Sequence, residues 1–257
     1  MTTQGKTAII TGSATGIGAA VARQLAAKGV KTVINYTKSA AEAEATAAEC
    51  RALGVEALLC RADVSLDADC RRLADAALGA WGRIDYLVNN AGTTIFAAQT
   101  DLDAVQAEDF RRIYDVNVIG AFQMVRAVAP AMKAAGRGAI VNVSSIAGLA
   151  GVGSSIAYAA SKGALNTLTL SLARALAPEI RVNAICPGMV TTRWLQQGLG
   201  AERYERLLAA TEASTPLKQA SGPDEIAEPV VWLLDGATHI TGEMISVDAG
   251  MHLGFAV

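Results

Sequence analysis

Short apolar runs alternate with longer alanine-rich stretches of helical pattern along most of this 257-residue chain. Most of the apolar runs lack a polar residue at every second position, which is expected of strands covered on both faces. Repeated alternation of strand and helix predicts a parallel sheet that is wound on both sides by helices. The predicted strands are 7–11, 31–35, 57–60, 84–88, 139–143, 180–185 and 244–247. The predicted helices are approximately 17–28, 40–53, 67–81, 110–135, 158–177 and 224–234.

Composition and charge narrow the range of functions. The chain is 52% hydrophobic and carries 22 Lys and Arg residues against 24 Asp and Glu residues, so its net charge is −2. Because there is no basic run, we expect no general attraction to nucleic acid or to anionic lipid. No Pro- or Ser-rich linker divides the chain, and we therefore predict one domain over residues 1–257.

The chain carries no pattern of a signal peptide, a membrane span or a metal site. Its N-terminal residues enter the first strand without the basic and then apolar segments of a secretory signal. The uncharged stretch 138–161 is long enough to span a membrane, but lipid would poorly tolerate its asparagine, serines and glycines. The four cysteines include no CxxC pair, and the chain has only two histidines. We expect a cytoplasmic protein with free buried thiols and no metal.

Residues 191–221 differ from the rest of the chain. They are more polar, carry charges of both signs, and lie between a Pro-Gly turn and the last predicted helix. A helical insertion of this kind usually covers a binding site, although it can also be a simple surface excursion. We predict a small helical lid over the substrate site.

A glycine-rich turn, TGSATGIG, follows the first predicted strand at residues 11–18. Its glycines are spaced four and then two residues apart, which differs from the GxGxxG of longer dinucleotide-binding folds. Gly12 would permit a sharp turn, Gly16 would let the backbone approach a ligand, and Gly18 would let the helix pack closely on the sheet. The N–H groups and partial positive charge of the helix N-terminus would bind a pyrophosphate. The alternative is a glycine-rich turn without a ligand.

Tyr158 and Lys162 stand four residues apart at the start of a predicted helix and therefore share one face. A phenol titrates near pH 10 in water, which makes it a poor proton donor or acceptor at neutral pH. An ammonium about 5 Å away would favour the phenolate and lower the pKa of Tyr158, before desolvation opposes the effect. The pair would then suit general acid–base catalysis, although Tyr and Lys at this spacing also occur on ordinary amphipathic helices.

Two further polar residues accompany this pair. Ser145 follows the fifth predicted strand, where ligands collect in parallel sheets, and its hydroxyl would hold a substrate carbonyl oxygen. Asn117 lies inside a long apolar helix, where asparagine is unfavourable, and its amide would hold a water in a proton relay to Lys162. A backbone hydrogen bond for Ser145 and a helix cap or bend for Asn117 are the alternatives. Serine-hydrolase chemistry is disfavoured, since His239 and His252 lie near the C-terminus without a nucleophile-elbow context.

Each of these motifs is weak evidence alone, but together they are specific to one protein family. The chain resembles the short-chain dehydrogenase/reductase family over essentially its whole length. The resemblance is carried, in order and at the expected spacing, by TGSATGIG at 11–18, NNAG at 89–92, Ser145, YxxxK at 158–162 and Pro-Gly at 187–188. It implies a single-domain, Rossmann-like α/β fold with a doubly wound, seven-stranded parallel sheet, assembled as a homotetramer.

The resemblance also implies a role for each residue of the site. Tyr158 would be the general acid in reduction and the base in oxidation, and Lys162 would lower its pKa and bind the nicotinamide ribose. Ser145 would orient the carbonyl oxygen, and Asn117 would hold the relay water. The cofactor would carry the hydride. Besides Tyr158 and Lys162, its predicted contacts are Gly12, Ser13, Thr15, Gly16 and Ile17 in the glycine turn, Tyr36, Thr37 and Lys38 after the second strand, Asp63 and Val64 at the adenine, Asn90, Ala91 and Gly92 at the adenosine, and Pro187, Gly188, Val190 and Thr192 at the nicotinamide.

The end of the second predicted strand bears on which nicotinamide cofactor is used. NAD-preferring relatives usually carry an acidic residue there, which accepts a hydrogen bond from the ribose 2′-hydroxyl. Here Tyr36 takes that place, and the hydroxyl of Thr37 and the cation of Lys38 would meet a 2′-phosphate. Thr15, however, stands where many NADP-dependent relatives have Arg or Lys, and Lys38 can also be a solvated surface charge. We favour NADP(H) and leave use of NAD(H) open.

The substrate is less constrained than the cofactor. Relatives of this size are often 3-oxoacyl-carrier-protein reductases, which bind an acidic carrier through basic residues. Pro130 stands where an Arg is common, which weakens this interpretation, whereas Arg174 keeps another basic position. The candidate pocket walls, which suit a medium-sized and fairly apolar ketone or alcohol, are Thr93, Thr94, Ile146, Gly153, Met189, Trp194 and Leu195.

We therefore predict an oxidoreductase that transfers a hydride between NADP(H) and a carbonyl or secondary alcohol, mainly as a ketone reductase. Its partner would be a small-molecule substrate, without nucleic acid or membrane. One alternative is an NAD(P)-binding regulatory or sensor protein without turnover, which the complete catalytic set disfavours. Another is an NAD-dependent sugar or steroid alcohol dehydrogenase. The apolar residues 255–257 and the alanine-rich helices agree with a homotetramer.

Overall fold

Seven parallel strands form a continuous sheet in the order β3-β2-β1-β4-β5-β6-β7. The computed structural model describes residues 3–254. The strands are β1 Thr7–Ile10, β2 Lys31–Tyr36, β3 Ala57–Arg61, β4 Tyr86–Asn89, β5 Gly138–Val143, β6 Ile180–Pro187 and β7 Met244–Val247. The strand order reverses beside β1, which lies between β2 and β4, and ligands bind at such a switch point in open parallel sheets. The seven predicted strands are confirmed.

Helices cover both faces of this sheet. They are α1 Gly16–Ala27, α2 Ala40–Ala52, α3 Asp67–Trp81, α4 Ala107–Tyr114, α5 Ala121–Ala134, the short α6 Ala147–Ala150, α7 Ile156–Leu176, α8 Arg193–Leu199, α9 Ala201–Ser214 and α10 Pro223–Asp235. The core is divided by the sheet, because neighbouring strand residues face opposite sides. In β1, Ala8 and Ile10 pack with residues of α1 and α10, whereas Ile9 packs with residues of α3 and α5. This burial on both faces explains why the strands lack polar alternation.

The predicted helix 110–135 is not one regular helix. Helix α4 begins earlier, at Ala107, and a π-helical segment, Asp115–Gly120, separates it from α5. The wide turn brings Gly120 against the loop after β3, because a β carbon on Gly120 would lie 2.8 Å from Val64 Cγ2. Segments of π-helix inside α-helices often mark functional sites, and this one contains Asn117.

Residues 191–221 form a helical excursion, as predicted. Helices α8 and α9 lie inside it, and its two ends meet, since Val190 bridges to Ser221 and the Thr191 N–H donates to the Ser221 carbonyl over 2.9 Å. We call residues 191–221 the lid. Near its start, Arg193 forms a 2.9 Å salt bridge with Glu42 of α2, which joins the lid to the other side of the site.

Several further predictions concern thiols, metals, membranes and the chain end. All four cysteines are buried and free, as expected. Over residues 3–254, no three or more His, Cys, Asp and Glu side chains are grouped so that they could hold a metal ion. In the same part of the chain, no helix has both the length and the apolar character needed to cross a membrane. The apolar residues 255–257 lie outside the described residues.

Candidate active site

The glycine turn joins β1 to α1 at the switch point of the sheet. Gly12 and Gly16 have φ angles of +62° and +59°, a region that residues with side chains rarely adopt. Gly18 has a different role from the predicted packing on the sheet. A β carbon there would lie 2.7 Å from the Gly12 carbonyl oxygen and 2.5 Å from Asn90 Nδ2. The absence of a side chain at Gly18 therefore lets α1 fold back against its own turn.

The side chains of Asn35, Asn90 and Ser13 hold this turn in place through hydrogen bonds. Asn35 Oδ1 accepts a hydrogen bond from the Gly12 N–H at 2.9 Å, and Asn90 Nδ2 donates to the Gly12 carbonyl at 3.0 Å. Ser13 is fully buried, donates to a carbonyl of β1 at 2.7 Å and accepts from the Asn35 N–H at 2.9 Å. Ser13 and Asn90 thus use their side chains inside the protein, and their predicted contacts with the cofactor stay predictions.

Asn35 was missed as a site residue. A buried asparagine at the end of an apolar strand is unusual, since strands disfavour Asn, and this was the available signal. Its partners could not be read from the sequence, because they lie on the glycine turn and on the segment that follows β3. Its Nδ2 donates to the Cys60 and Ala62 carbonyls at 3.3 and 2.9 Å.

Thr192, one of the predicted nicotinamide-side residues, lies beside the glycine turn. A β carbon on Gly16 would lie 3.6 Å from Thr192 Cγ2, so the start of α1 and the start of the lid are neighbours. Thr192 also caps α8, where its hydroxyl accepts from the Leu195 N–H at 3.4 Å. Pro187 and Val190 are buried, whereas Gly188 packs so closely on Asp248 that a β carbon would lie 2.7 Å from Asp248 Cβ.

Tyr158 and Lys162 share one face of α7, as predicted. Ser155 caps this helix, and its hydroxyl accepts from the Tyr158 N–H at 3.2 Å. Lys162 is only 4% exposed. Its Nζ lies 5.6 Å from the centre of the Tyr158 ring and donates to the Val143 carbonyl at 2.7 Å. The end of β5 therefore holds the ammonium beside the phenol.

Burial opposes the expected lowering of the Tyr158 pKa by Lys162. Burial raises the pKa of Tyr158 to about 12, and a hydrogen bond with Ser145 only partly opposes that rise. Burial also lowers the pKa of Lys162 to about 8. The physical reason is the same for both groups, because loss of water penalises the phenolate and the ammonium alike.

Ser145 and Asn117 lie on different elements, and both approach the helix that carries Tyr158. Ser145 follows β5, and its hydroxyl accepts from the Ala147 N–H at 3.1 Å. Asn117 donates to the Thr93 carbonyl and to Ser161 Oγ, each at 3.0 Å, and accepts from the Thr93 N–H at 2.8 Å. Both amide hydrogens of Asn117 thus bind protein atoms, and its predicted contact with a relay water stays a prediction. Asn117 ties the loop after β4 to the helix that carries Tyr158.

Gly92 shows how closely these groups converge. A β carbon on Gly92 would lie 3.6 Å from Asn117 Oδ1 and 3.8 Å from Lys162 Nζ. Its neighbour Ala91 is held by a hydrogen bond from its N–H to Thr11 Oγ1 at 3.0 Å. The NNAG motif thus connects the glycine turn with the catalytic candidates.

The ends of β2 and β3 form the far end of the site. Tyr36 is half-buried, and Thr37 and Lys38 are exposed. Arg61, the last residue of β3, is paired in register with Tyr36, and its Nε donates to the Thr37 carbonyl at 3.1 Å. Arg61 is exposed. The sequence did not reveal Arg61, because it lies 25 residues after Tyr36 and becomes its neighbour only when β2 and β3 pair.

Asp63 and Val64 follow β3 next to this end. Asp63 Oδ1 accepts from the Ser65 N–H at 3.0 Å and from the Ser65 hydroxyl at 2.7 Å. Val64 is buried beneath it, in contact range of Gly120. The carboxylate of Asp63 is exposed, as a contact to an adenine would require.

Two of the predicted pocket walls, Trp194 and Gly153, lie near Tyr158, and Phe96 joins them. Trp194 lies with its ring centre 6.4 Å from that of Tyr158. Gly153 lies on another side, where a β carbon would be 3.7 Å from Tyr158 Cδ1. Phe96 was missed, although its ring centre lies 5.5 Å from that of Trp194. Phe96 lies within the loop after β4, where the sequence has no periodic pattern.

Comparison with known proteins agrees with this geometry. A family described as "Enoyl-(Acyl carrier protein) reductase" matches residues 12–252. The chain is similar to the "Granaticin polyketide synthase putative ketoacyl reductase 2" of Streptomyces violaceoruber, with 43% identity over 96% of each chain. It is 35% identical to a 3-oxoacyl-[acyl-carrier-protein] reductase of Synechocystis, over 95% of this chain and 96% of that one. A crystal structure of a "putative short-chain dehydrogenase/reductase" from Burkholderia xenovorans superposes with a TM-score of 0.91 at 45% identity, covering 97% of this chain and 98% of that one.

Proposed function

Because this chain belongs to the short-chain dehydrogenase/reductase family and is an oxidoreductase of keto and hydroxyl groups, we propose that it reduces a largely apolar ketone with NADPH. The observation that carries this proposal is the convergence of Ser145, Tyr158 and Lys162 beside the glycine turn. A sensor without turnover is not favoured, since the relatives are named as reductases and dehydrogenases. The sugar and steroid dehydrogenases among the relatives, at 35% and 36% identity, are less similar to this chain than the ketoacyl reductase at 43%.

The residues present fit a dinucleotide. Gly12 and Gly16 give a turn that no side chain obstructs, and no side chain caps the N-terminus of α1 within the described residues. Its N–H groups are therefore free for a pyrophosphate. Asp63 would meet the adenine, and Thr192 and Lys162 the nicotinamide end. When bound, the cofactor would supply the hydride.

The raised pKa of Tyr158 suits reduction. At neutral pH the phenol holds its proton and can give it to a developing alkoxide, while the Ser145 hydroxyl holds the same oxygen. Lys162, whose pKa is about 8, is still mainly charged at pH 7 and would stabilise the phenolate that remains. Asn117 acts as a positioning residue, because it holds α7 through Ser161.

The pH dependence of the two directions tests these roles. We expect kcat/KM for ketone reduction to be nearly constant below pH 8 and to fall as Lys162 loses its proton above about that value. Oxidation needs the phenolate, so its kcat/KM should rise with pH over the same range because the pKa of Tyr158 is raised. A panel of ketones with NADPH or NADH, followed by absorbance, supplies both profiles. Tight NADPH binding without turnover of any ketone would contradict the proposal.

The preference for NADPH is proposed from the end of the site formed by β2 and β3. Lys38 is an exposed cation at this end of the site. The glycine turn adds no positive charge, because Thr15 stands there and not Arg or Lys. Arg61 adds a second cation beside Thr37. Within residues 3–254 its guanidinium lies in no salt bridge, so it is available to a 2′-phosphate.

Replacing Arg61 with Gln should therefore weaken NADPH binding about tenfold and leave NADH binding almost unchanged, since one charge-assisted hydrogen bond is lost. Fluorescence titration of the two cofactors measures both constants without a substrate. The control is Arg71→Gln, because Arg71 is paired with Asp67 on α3 at 2.9 Å. Equal weakening of NADPH and NADH would remove Arg61 from cofactor selection.

We further propose that the protein acts in the cytoplasm as a homotetramer. Support comes from the family resemblance and from three large apolar side chains on neighbouring elements. Phe110, Ile119 and Phe122 are 36%, 45% and 42% exposed, and contact between copies would cover such surface. The mass of the protein in solution tests this assembly.

A further inference from the structure

The side of the site that faces Tyr158 is aromatic. Trp194 lies in the first turn of α8. Its ring centre is 6.4 Å from that of Tyr158, with an angle of 45° between the planes. The centre of the Phe96 ring lies 5.5 Å from that of Trp194, with an angle of 55° between the planes. Such tilted contacts are the favoured geometry of aromatic pairs. Three rings thus form one continuous wall.

Phe96 is held in place by two independent features. A β carbon on Gly198 would lie 1.9 Å from Phe96 Cε2, so the phenyl ring occupies space that only a glycine in α8 leaves open. The loop that carries Phe96 is also fixed, because Thr94 Oγ1 and Ser154 Oγ lie 2.7 Å apart and the Ala97 N–H donates to the Ser154 carbonyl at 2.9 Å. Phe96 is therefore a fixed support for Trp194.

Trp194 itself keeps a free surface. It is 46% exposed although it touches two other rings. The charge next to it, Arg193, is paired with Glu42. Leu149 and Val152, in the segment between Ser145 and Tyr158, are 49% and 44% exposed and add apolar surface. A molecule that places its carbonyl oxygen at Tyr158 would meet a flat apolar indole and few polar groups.

We propose that Trp194, supported by Phe96, determines substrate specificity and selects ketones that carry a planar aromatic ring next to the carbonyl. The inference rests on the proposed function, because it concerns the substrate of that same site. A flat ring can stack on the indole, whereas a saturated ring of the same size gains only from burial. Aromatic contacts add about 0.5–1.5 kcal/mol beyond burial, which corresponds to about three- to tenfold in affinity.

The test compares two ketones of similar size, acetophenone and cyclohexyl methyl ketone, as substrates with NADPH. The parent should prefer acetophenone about three- to tenfold in kcat/KM, mainly through KM. Trp194→Leu keeps an apolar side chain without a plane and should lose this preference, whereas Trp194→Phe should keep most of it. The matched control is Trp232→Leu, because Trp232 is 48% exposed on α10, away from Tyr158.

The outcomes separate this inference from the proposed function. If the parent reduces both ketones equally well, or if Trp194→Leu keeps the parent's preference, the inference is overturned while the reductase function stands. If NADPH binds and neither these ketones nor others are reduced, the proposed function itself fails. Should Trp194→Leu fold poorly, Trp194→Ile is measured in its place, because its apolar side chain also lacks a plane and should lose the preference.

Discussion

Tyr158→Phe should reduce ketone turnover at least ~100-fold while NADPH binds almost as in the parent, because the change removes only the proton that general acid catalysis needs. The ring would stay in place, since it packs against Trp194 and since Ser155 caps the helix through the backbone N–H of residue 158. The variant should also lose the opposed pH profiles of reduction and oxidation. Steady-state rates and NADPH fluorescence measure the two quantities separately.

Tyr114→Phe is the matched control. Tyr114 is a partly buried tyrosine at the end of α4, outside the group formed by Ser145, Tyr158 and Lys162. Its loss of a hydroxyl should change turnover by less than about twofold, since substitutions away from the site seldom have large effects. Turnover by Tyr158→Phe at the parent rate would exclude Tyr158 as the proton donor.

Gly18→Ala should lower stability and weaken NADPH binding together. An alanine inside a helix is normally favoured over glycine by up to ~1 kcal/mol. Here the added carbon would lie 2.5–2.8 Å from Asn90 Nδ2, the Gly12 carbonyl oxygen and Ser13 Cα. Two of these atoms belong to the backbone of the turn, so relief of the clash must distort it. We expect a loss of roughly 1–3 kcal/mol in the free energy of unfolding, as for other overpacked sites.

The displaced turn should also bind NADPH at least ~tenfold more weakly, because the N–H groups of α1 would no longer converge on the pyrophosphate. Thermal unfolding with and without NADPH measures both effects. Gly79→Ala is the control, since Gly79 lies in the helix α3 with nothing within 4 Å of the added carbon. That variant should be as stable as the parent or more so. Equal behaviour of the two variants would show that Gly18 is not sterically required.

Most of the fold follows from local patterns. All seven strands were predicted within about two residues of their observed ends, because buried parallel strands are short apolar runs. The helix 110–135 was predicted as continuous, since π-helical turns have no periodicity that a pattern can detect. Only the packing of Gly120 on Val64 shows why the helix widens there.

The candidate site also contains residues that the sequence identifies and residues that it does not. The residues that carry its chemistry have recognisable spacing, so Tyr158, Lys162, Ser145 and the glycine turn were identified from their order in the chain. Asn35, Arg61 and Phe96 were missed, because their importance comes from partners on other strands and loops. Arg61 acquires a role only because β3 lies beside β2 and places its guanidinium at Thr37.

The amino-acid sequence alone established the doubly wound sheet, the turn for a pyrophosphate and the types of side chain available for proton transfer. These properties depend on neighbours that are close along the chain. Tertiary structure decided the direction of the pKa shift at Tyr158 and the bracing role of Asn117. It also decided the contact between the Phe96 and Trp194 rings. Each of these depends on burial or on contacts between distant segments, and the free energy of removing water from a group is set only when the chain closes around it.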